Sequence, residues 1–371
     1  MNSDFIRARS QVVKLVRRYF DEQGFLELHT PRLVGLPGQE PYLEPLWTSV
    51  SEQRAENKEH RAALITSPEY AMKRMLGAGF DKIYDLGPCF RNGEPWDGTH
   101  DPEFLMLEWY EKNIGLPELM DRTEAMVEFV GARFIAPVPA GVFVPSDISV
   151  PSDIFVPSDI SVPSDVSVPA DAPGAREQGV INHAPTPSKP FRRLTVRDAM
   201  KQYADVDLDL LLGDREAMAD ACRAHHQTVG ENDTWDDLFF KIFLSEVEPH
   251  LGEVPTFLYN YPASMAALAR KDPTDPRYAL RTELYIGALE LANGFAELSD
   301  AVEQRARFEE EQALRKTLGK EVWPIDERFM AALPSMGNAA GIAFGVDRLA
   351  MLLTGTDSIS ALMPIPVGER F

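Results

Sequence analysis

Apolar residues recur at helical spacing at the start of the chain, where residues 4–23 predict an amphipathic helix that ends at Gly24. The next stretch, residues 25–31 (FLELHTP), predicts a strand broken at Pro31. Residues 236–247 predict another amphipathic helix. Its buried face would carry Leu238, Phe239, Ile242, Phe243 and Val247.

Strands and turns alternate in other parts of the chain. Residues 90–110 (FRNGEPWDGTHDPEFLMLEWY) predict a hairpin, because residues 93–98 are rich in Gly, Pro and Asp and the second half is mostly apolar. One strand is predicted over residues 256–262 and another over residues 284–295. Residues 341–353 (GIAFGVDRLAMLL) predict a strand that passes directly into a helix.

A hexapeptide repeat close to VPSDIS interrupts this pattern. Its copies begin at Val144, Val150, Val156, Val162 and Val168. A proline in each copy excludes continuous helix and regular sheet. A tether that docks another molecule is one interpretation, and we favour expansion of the repeat within a tolerated surface loop. We predict that residues 137–190 form a mobile, dispensable insertion between residues 1–136 and 191–371, which together form one catalytic domain.

Composition indicates a cytoplasmic protein. The chain has 371 residues, 44% of them hydrophobic, enough for one large core or two ordinary ones. Its two cysteines are too few for a disulfide framework, and no apolar run approaches membrane-spanning length. The net charge of −21 disfavours a nucleic-acid partner, because phosphate binding depends on Lys and Arg. We therefore expect neither tRNA nor a membrane as a partner.

Two arginines stand at positions that suit a phosphate site. Arg91 would close the first strand of the 90–110 hairpin, and Arg348 would lie in the first turn of the helix after Gly345. A guanidinium binds phosphate oxygens through paired hydrogen bonds and keeps its charge. A polar hairpin with an arginine is more often a solvated surface, so the prediction of a nucleotide site depends on the two segments together.

Residues 25–33, 90–110 and 341–353 resemble, in that order, the three signature motifs of the class II aminoacyl-tRNA synthetases. Within that family the chain is most similar to the lysyl branch, through TSPEY at residues 66–70 and ELANGFAEL at residues 290–298. The resemblance covers nearly the whole chain apart from the insertion. It implies an α+β fold with an antiparallel sheet flanked by helices, and a homodimer with residues 25–31 at its interface. From the residues alone, an ordinary edge strand stopped by proline fits residues 25–31 equally well.

The resemblance also implies that ATP activates a substrate carboxylate as an acyl-adenylate. Arg91 would contact the α-phosphate and the attacking carboxylate, and Arg348 the γ-phosphate. Phe104 would stack on the adenine, and Glu103 would accept a hydrogen bond from the adenine amino group. The other implied ATP contacts are Asn92, Gly93, Glu94, His100, Asp101, Glu290, Leu291 and Gly345.

Two features of this implied ATP site depart from the family pattern. Asp101 stands where asparagine is usual, and an acid there would repel triphosphate unless a cation intervenes. The loop before His100 is one residue longer than usual, which leaves open whether Gly93 or Glu94 meets ATP.

Glu290 and Glu297 resemble the acidic pair that holds Mg²⁺ in this family. Their separation of seven would place them on opposite faces of a regular strand, as expected for two solvated acids. A bulge at Asn293 and Gly294 would restore a common face.

The implied substrate is a diamino acid. By resemblance, Ser67, Pro68, Glu69, Tyr110 and Glu297 would surround its distal ammonium. Ala343 stands where lysyl-tRNA synthetases carry glycine and where their truncated paralogue, which attaches (R)-β-lysine to elongation factor P, carries alanine. One methyl group in a close-packed pocket is worth roughly 1–3 kcal/mol of discrimination.

The catalytic pattern begins within the first residues, so we expect no OB-fold anticodon-binding domain. The resemblance then implies elongation factor P as the acceptor, through a lysine side chain. Two alternatives remain open: an enzyme that charges tRNA or a small acceptor such as ammonia, and a catalytically silent regulatory paralogue. Retention of Arg91, Glu290, Glu297 and Arg348 favours an active enzyme over a silent one.

Overall fold

The computed structural model describes residues 3–52, 58–134, 190–252, 254–287 and 289–371. The predicted insertion lies outside the described residues except for Pro190. The helices are α1 (Ser3–Glu22), α2 (Glu69–Gly77), α3 (Leu116–Arg133), α4 (Val196–Ala204), α5 (Arg215–Ala224), α6 (Trp235–Ile242), α7 (Ala301–Thr317), α8 (Glu327–Met336), α9 (Val346–Thr354) and α10 (Val367–Arg370). The strands are β1 (Leu26–Leu28), β2 (Leu33–Val34), β3 (Leu46–Glu52), β4 (Lys58–Leu64), β5 (Lys82–Phe90), β6 (Glu103–Lys112), β7 (Arg192–Thr195), β8 (Thr256–Pro262), β9 (Tyr278–Ile286), β10 (Leu289–Ala296) and β11 (Ala339–Gly345).

A large sheet in the order β1-β5-β6-β11-β10-β9-β8-β7 forms the centre of the fold. Its outer pairs, β1 with β5 and β7 with β8, are parallel, and the strands between them are antiparallel. Helices pack against the sheet, and a small sheet in the order β2-β4-β3 stands beside it. The predicted α+β fold with an antiparallel sheet flanked by helices is confirmed.

The main core lies between this sheet and α1, α3 and α9. The buried face of α1 carries Val12, Val16, Tyr19 and Phe20, as its helical spacing requires. Gly24 follows α1 at a φ of +74°, a left-handed conformation that glycine adopts without a Cβ penalty. The predicted first helix and its end are therefore confirmed.

A second core surrounds β8, where α4, α5 and α6 pack together. The predicted helical face of residues 236–247 is confirmed, since all five of its apolar side chains are buried. The hydrogen-bonding pattern of this helix changes after Ile242, where α6 continues as a π-helix over Phe243–Val247. Within the described residues, no helix has the length and apolar character needed to cross a membrane.

Two predicted strands differ from the structure. The strand predicted over residues 25–31 is limited to the three residues of β1, and Pro31 separates it from β2 in the small sheet. The single strand predicted over residues 284–295 is wrong: β9 and β10 form a hairpin there. Gly287, which ends β9, has a φ of +60° that allows the chain to reverse, a use of glycine that the apolar pattern conceals.

Candidate active site

A cavity of about 1090 Å³ lies between the central strands β6, β10 and β11 and the helix α7. Arg91 directly follows β5, and Arg348 lies in the first turn of α9, yet both side chains line this cavity. Burial raises the pKa of Glu290, which lines the same cavity, and both guanidinium groups partly oppose this rise. The structure therefore brings the two predicted phosphate contacts to one site.

Arg348 is held in the cavity from two sides. Its Nη1 donates to the backbone oxygen of Glu290 on β10 at 2.6 Å, and its Nη2 lies 3.2 Å from Nε2 of His100. The His100 ring is in turn 3.0 Å from the Asp97 carboxylate. This arrangement follows from the sequence, because β11 passes into α9 at Gly345 without a loop and projects Arg348 from the junction.

Arg91 and Phe104 face each other across the β5–β6 hairpin. The Arg91 guanidinium carbon lies 5.1 Å from the centre of the Phe104 ring, and both side chains line the cavity. The Nε atom of Arg91 is buried and has no hydrogen-bond partner among the described residues. A buried donor without a partner is costly, so this atom is available to a ligand.

Asp347 fixes the position of this hairpin. Its carboxylate accepts a hydrogen bond from the Leu105 amide on β6 at 2.8 Å and pairs with Arg9 on α1 at 2.5 Å. One buried carboxylate thus joins α1, β6 and α9 behind the cavity.

The other predicted ATP contacts divide into two groups. The cavity lining includes Glu94, His100, Asp101, Leu291 and Gly345 but not Asn92, Gly93 or Glu103. The Asn92 amide donates to the backbone oxygen of Glu44 at 2.8 Å, and Glu103 is exposed with its carboxylate 3.3 Å from Arg370. The described arrangement thus favours Glu94 over Gly93 as the residue that meets ATP.

Asp101 is buried and pairs with Arg370, whose Nη2 lies 2.5 Å from Oδ1. Asp101, which stands where asparagine is usual, is therefore paired with a cation, Arg370, that was not identified from the sequence. Only folding brings these two residues together, so no local pattern reveals the pair.

The predicted amine pocket is a buried hydrogen-bond network. Ser67 Oγ donates to one oxygen of the Glu108 carboxyl at 2.6 Å, and Tyr110 donates its hydroxyl to the other. Burial, together with the nearby charge of Glu69, raises the pKa of Glu108 from 4.5 to about 8. Ser67 and Glu69 line the main cavity, and Pro68 begins the helix that carries Glu69.

A glycine makes room for the Tyr110 ring. Gly341 on β11 pairs with Tyr110 on β6, and a Cβ atom at position 341 would overlap the ring. Because the ring lies directly against the backbone, its hydroxyl reaches the Glu108 carboxyl.

Lys73 lies at the end of this pocket and was missed in the sequence analysis. Its ammonium pairs with Glu69, one helical turn earlier on α2, and lies 2.6 Å from Glu297 Oε2. The spacing of four residues from Glu69 was the available signal in the sequence, and it is typical of any surface ion pair on a helix.

Residues 1–368 match the family described as tRNA synthetases class II (D, K and N). The chain belongs to this family. It is an amino-acid ligase with the catalytic domain of the class II synthetases.

Several similar proteins are named after one reaction. The elongation factor P–(R)-β-lysine ligase of Proteus mirabilis is 34% identical over 363 residues, which cover 97% of this chain and 94% of that protein. The enzyme of the same name from Haemophilus influenzae is 31% identical with the same coverage. A lysine–tRNA ligase from Mycoplasmoides gallisepticum is 30% identical over 96% of this chain but only 63% of its own length.

In this class II synthetase the bulge predicted in β10 is confirmed, but its position was wrong. The pairing with β9 shifts register between Glu290 and Ala292, so the extra residue is Leu291 and not Asn293 or Gly294. The extra residue reverses the alternation of side chains once. Glu290 therefore lies on the same face of β10 as Asn293, and this is also the face of Glu297. The expected common face is present.

The two carboxylates of the synthetase nevertheless lie in different surroundings. Glu290 lies among Glu283, Arg348, Arg281 and Arg91, whereas Glu297 lies beside Lys73 and near Glu69 and Glu108. Among the described residues, no group of three or more His, Cys, Asp or Glu side chains could hold a metal ion by itself. The assignment of Glu290 and Glu297 as a Mg²⁺ pair therefore stays a prediction.

Ala343 lies on the cavity side of β11, between its register partners Asn293 and Glu108. Its methyl group is half-buried and packs against a small apolar cluster of Ile65, Cys89 and Met106. In this synthetase it therefore lies in the cavity lining, paired in register with Glu108 of the predicted amine pocket.

Proposed function

We propose that this protein activates (R)-β-lysine with ATP as an acyl-adenylate and ligates it to a lysine side chain of translation elongation factor P. The observation that carries the proposal is the position of Arg91 and Arg348 in one cavity that ends at the carboxyl-lined pocket around Glu69 and Glu108. The cavity thus offers cations for a triphosphate at one end and anions for an amine at the other. The relatives that align over 94% of their own length carry the name of this reaction.

In the first step the substrate carboxylate attacks the α-phosphorus of ATP. A new P–O bond forms, the bond between the α- and β-phosphates breaks, and pyrophosphate leaves. Negative charge accumulates on the phosphate oxygens, and fixed cations stabilise it. In this proposal Arg91 contacts the α-phosphate and Arg348 contacts the leaving end, which is supported by the hold that Glu290 and His100 have on the Arg348 guanidinium.

The amine pocket positions the substrate for this attack. A distal ammonium would pair with Glu69 and Glu108, and it would favour the charged form of the Glu108 carboxyl, whose pKa is raised by burial. Phe104 provides a flat apolar face for the adenine, as its ring lies under the Arg91 guanidinium. Holding both reactants in one cavity accounts for much of the rate in reactions of this type.

Magnesium fits this site through Glu290. Burial and the nearby Glu283 raise the pKa of the Glu290 carboxyl to about 7, so a cation beside it would be favoured. Mg²⁺ binds proteins through one or two carboxylates and completes its shell with phosphate oxygens and water, so one buried carboxylate is sufficient. When bound, the ion would neutralise charge on the phosphates.

In the second step the neutral ε-amine of the acceptor lysine attacks the carbonyl carbon of the adenylate. A C–N bond forms, the bond to the phosphate oxygen breaks, AMP leaves and the amine loses a proton. We propose that the enzyme is a cytoplasmic homodimer, following the family resemblance. Residues 137–190 would form a dispensable insertion in its catalytic domain.

A lysine–tRNA ligase activity is the second candidate, and it is favoured by the 30% identity to the M. gallisepticum enzyme. The net charge of −21 weighs against it, because a tRNA acceptor needs neutralising cations.

ATP–pyrophosphate exchange with (R)-β-lysine and with α-lysine tests the first step, and mass analysis of elongation factor P and of tRNA tests the second. We expect exchange with (R)-β-lysine and a mass increase of elongation factor P alone. Transfer only to tRNA would support the second candidate, and no exchange with either amino acid would support a silent paralogue.

A further inference from the structure

The lysine at the end of the amine pocket is the least expected group in this site. Lys73 is 1% exposed, and its ammonium bridges Glu69 on α2 and Glu297, the residue that follows β10. The Glu297 side chain is fully buried. Burial alone would lower the pKa of the Lys73 amine, but the carboxylates of Glu297 and Glu69 raise it above its ordinary value. The ammonium group is thus held between two acidic side chains inside the protein.

The place that this cation occupies would otherwise suit a substrate. Ser67 and Glu69 form the end of the cavity lining on this side. Lys73 lies immediately behind Glu69 and pairs with it. The gap between the carboxylates of Glu69 and Glu297 has the charge and the geometry for a primary ammonium, and Lys73 already fills it. Both carboxyl oxygens of Glu297 are buried without a well-aligned hydrogen bond among the described residues, and Oε2 is in ion-pair contact with Lys73.

We propose that Lys73 is a specificity-determining residue whose ammonium closes the amine end of the cavity and so sets the chain length of the diamino acid that the enzyme accepts. This inference rests on the proposed function. A substrate whose amine reaches one methylene farther would meet a like charge in a filled gap. A substrate one methylene shorter would leave its ammonium short of Glu69.

A purely structural role gives a different expectation. If Lys73 only joined α2 to the end of β10, its removal would weaken the fold and reduce activity toward all diamino acids by the same factor. If Lys73 limits chain length, the preference between homologues must change with the size of residue 73. The ratio of kcat/KM values for two homologues separates the two roles, because a general loss cancels in the ratio.

Three proteins test this in the exchange assay: the wild type, Lys73→Ala and Lys73→Arg. The amino acids are (R)-β-lysine and its homologues one methylene longer and one methylene shorter. Lys73→Ala should raise the ratio of longer homologue to (R)-β-lysine about tenfold or more, the lower end of the discrimination that one methylene provides. Lys73→Arg, which keeps the charge with a larger group, should move the preference toward the shorter homologue.

Chemical rescue provides a second measurement on Lys73→Ala. Millimolar ethylammonium, which fills the gap with a free cation, should restore (R)-β-lysine exchange and suppress the gain of the longer homologue. The matched control is Lys82→Ala. Lys82 pairs with another largely buried glutamate, Glu111, at 3.0 Å. Neither Lys82 nor Glu111 lines the cavity, whereas Glu69, the partner of Lys73, does. Its homologue ratios should equal those of the wild type.

Unchanged ratios in folded Lys73→Ala would overturn the inference and leave the proposed function intact. If Lys73→Ala does not fold, the absence of any shift in Lys73→Arg overturns it equally. A wild type without exchange on any diamino acid would instead overturn the proposed function, and the inference with it.

Discussion

The Arg370 guanidinium lies 2.5 Å from the Asp101 carboxylate, although 269 residues separate the two in the sequence. Asp101 is buried at the edge of the cavity that holds Arg91 and Arg348. The ion pair neutralises an acid that would otherwise face the triphosphate.

Substitution Arg370→Met should therefore weaken ATP binding. A buried carboxylate left without its partner is strongly unfavourable and repels phosphate. We expect the KM for ATP to rise at least tenfold while the KM for the amino acid changes little, as measured in the exchange assay. The double variant Arg370→Met/Asp101→Asn should recover ATP binding because the charge is removed with its partner. An unchanged KM for ATP in the single variant would show that the pair is structural only.

Reversing the charge of Arg348 should abolish exchange without unfolding the protein. Arg348→Glu places an anion where the triphosphate would lie, and loss of even one preorganised donor to developing charge costs about 10²–10³ in rate. Circular dichroism melting checks that the variant is folded. Full turnover in a folded Arg348→Glu variant would contradict the assignment of the triphosphate site.

Some of the residues behind these predictions could be identified from the sequence, and others could not. Arg91 and Phe104 belong to one hairpin and Arg348 to one strand–helix junction, so their placement follows from local pattern and family resemblance. Lys73 and Arg370 stand in ordinary helical sequence, and their importance depends on carboxylates that only the folded chain brings to them.

The bulge in β10 illustrates the same limit. The spacing of Glu290 and Glu297 required an irregularity, and glycine at position 294 was the natural candidate. The register shift lies at Leu291 instead. Gly294 serves another purpose, since a Cβ atom there would collide with Ile342 on β11. Close approach of two backbones and a bulge both select glycine, and sequence alone does not distinguish them.

The free protein should lose stability as the pH rises from about 5 to 8. Burial raises the pKa of Glu108 and of Glu297 from 4.5 to about 8, with further contributions from Glu69 at both. A carboxyl group that holds its proton more tightly when folded stabilises the protein fully below pH 4.5, and this contribution is lost as the pH approaches 8. Chemical denaturation between pH 5 and 9 measures the slope.

Glu108→Gln provides the control for this slope. The amide of Gln does not titrate, so the variant should lose less unfolding free energy than the wild type over the same pH range. The difference between the two slopes should be up to about 1.4 kcal/mol per pH unit. Saturating diamino acid should also reduce the loss in the wild type, because its ammonium favours the charged carboxylates. A wild-type slope equal to that of the variant would contradict the raised pKa.

Gly341→Ala should damage the amine pocket selectively. The added methyl group overlaps the Tyr110 ring and would displace its hydroxyl from Glu108. Overpacking of this kind costs about 1–3 kcal/mol of stability. We expect a lower melting temperature and a higher KM for the amino acid, with the KM for ATP unchanged. Gly368→Ala, at a position with open space around it, is the matched control.

Ala343→Gly should shift the preference between isomers. The Ala343 methyl group lies in the cavity lining, paired in register with Glu108, and its removal would open space for the α-amino group of α-lysine. We expect the ratio of kcat/KM for α-lysine over (R)-β-lysine to rise by about tenfold, which corresponds to about 1.4 kcal/mol. An unchanged ratio in the exchange assay would contradict the role assigned to this methyl group.

The position of β11 has a consequence for how the enzyme is made. This strand follows β6 and β10 in the sequence but lies between them in the sheet, and it leads directly into the helix that carries Arg348. While the ribosome is still translating the chain, β6 and β10 have no neighbour on that side and expose open edges. A chain that ended before residue 339 would lack both the strand that joins β6 to β10 and Arg348, and with them part of the proposed nucleotide site.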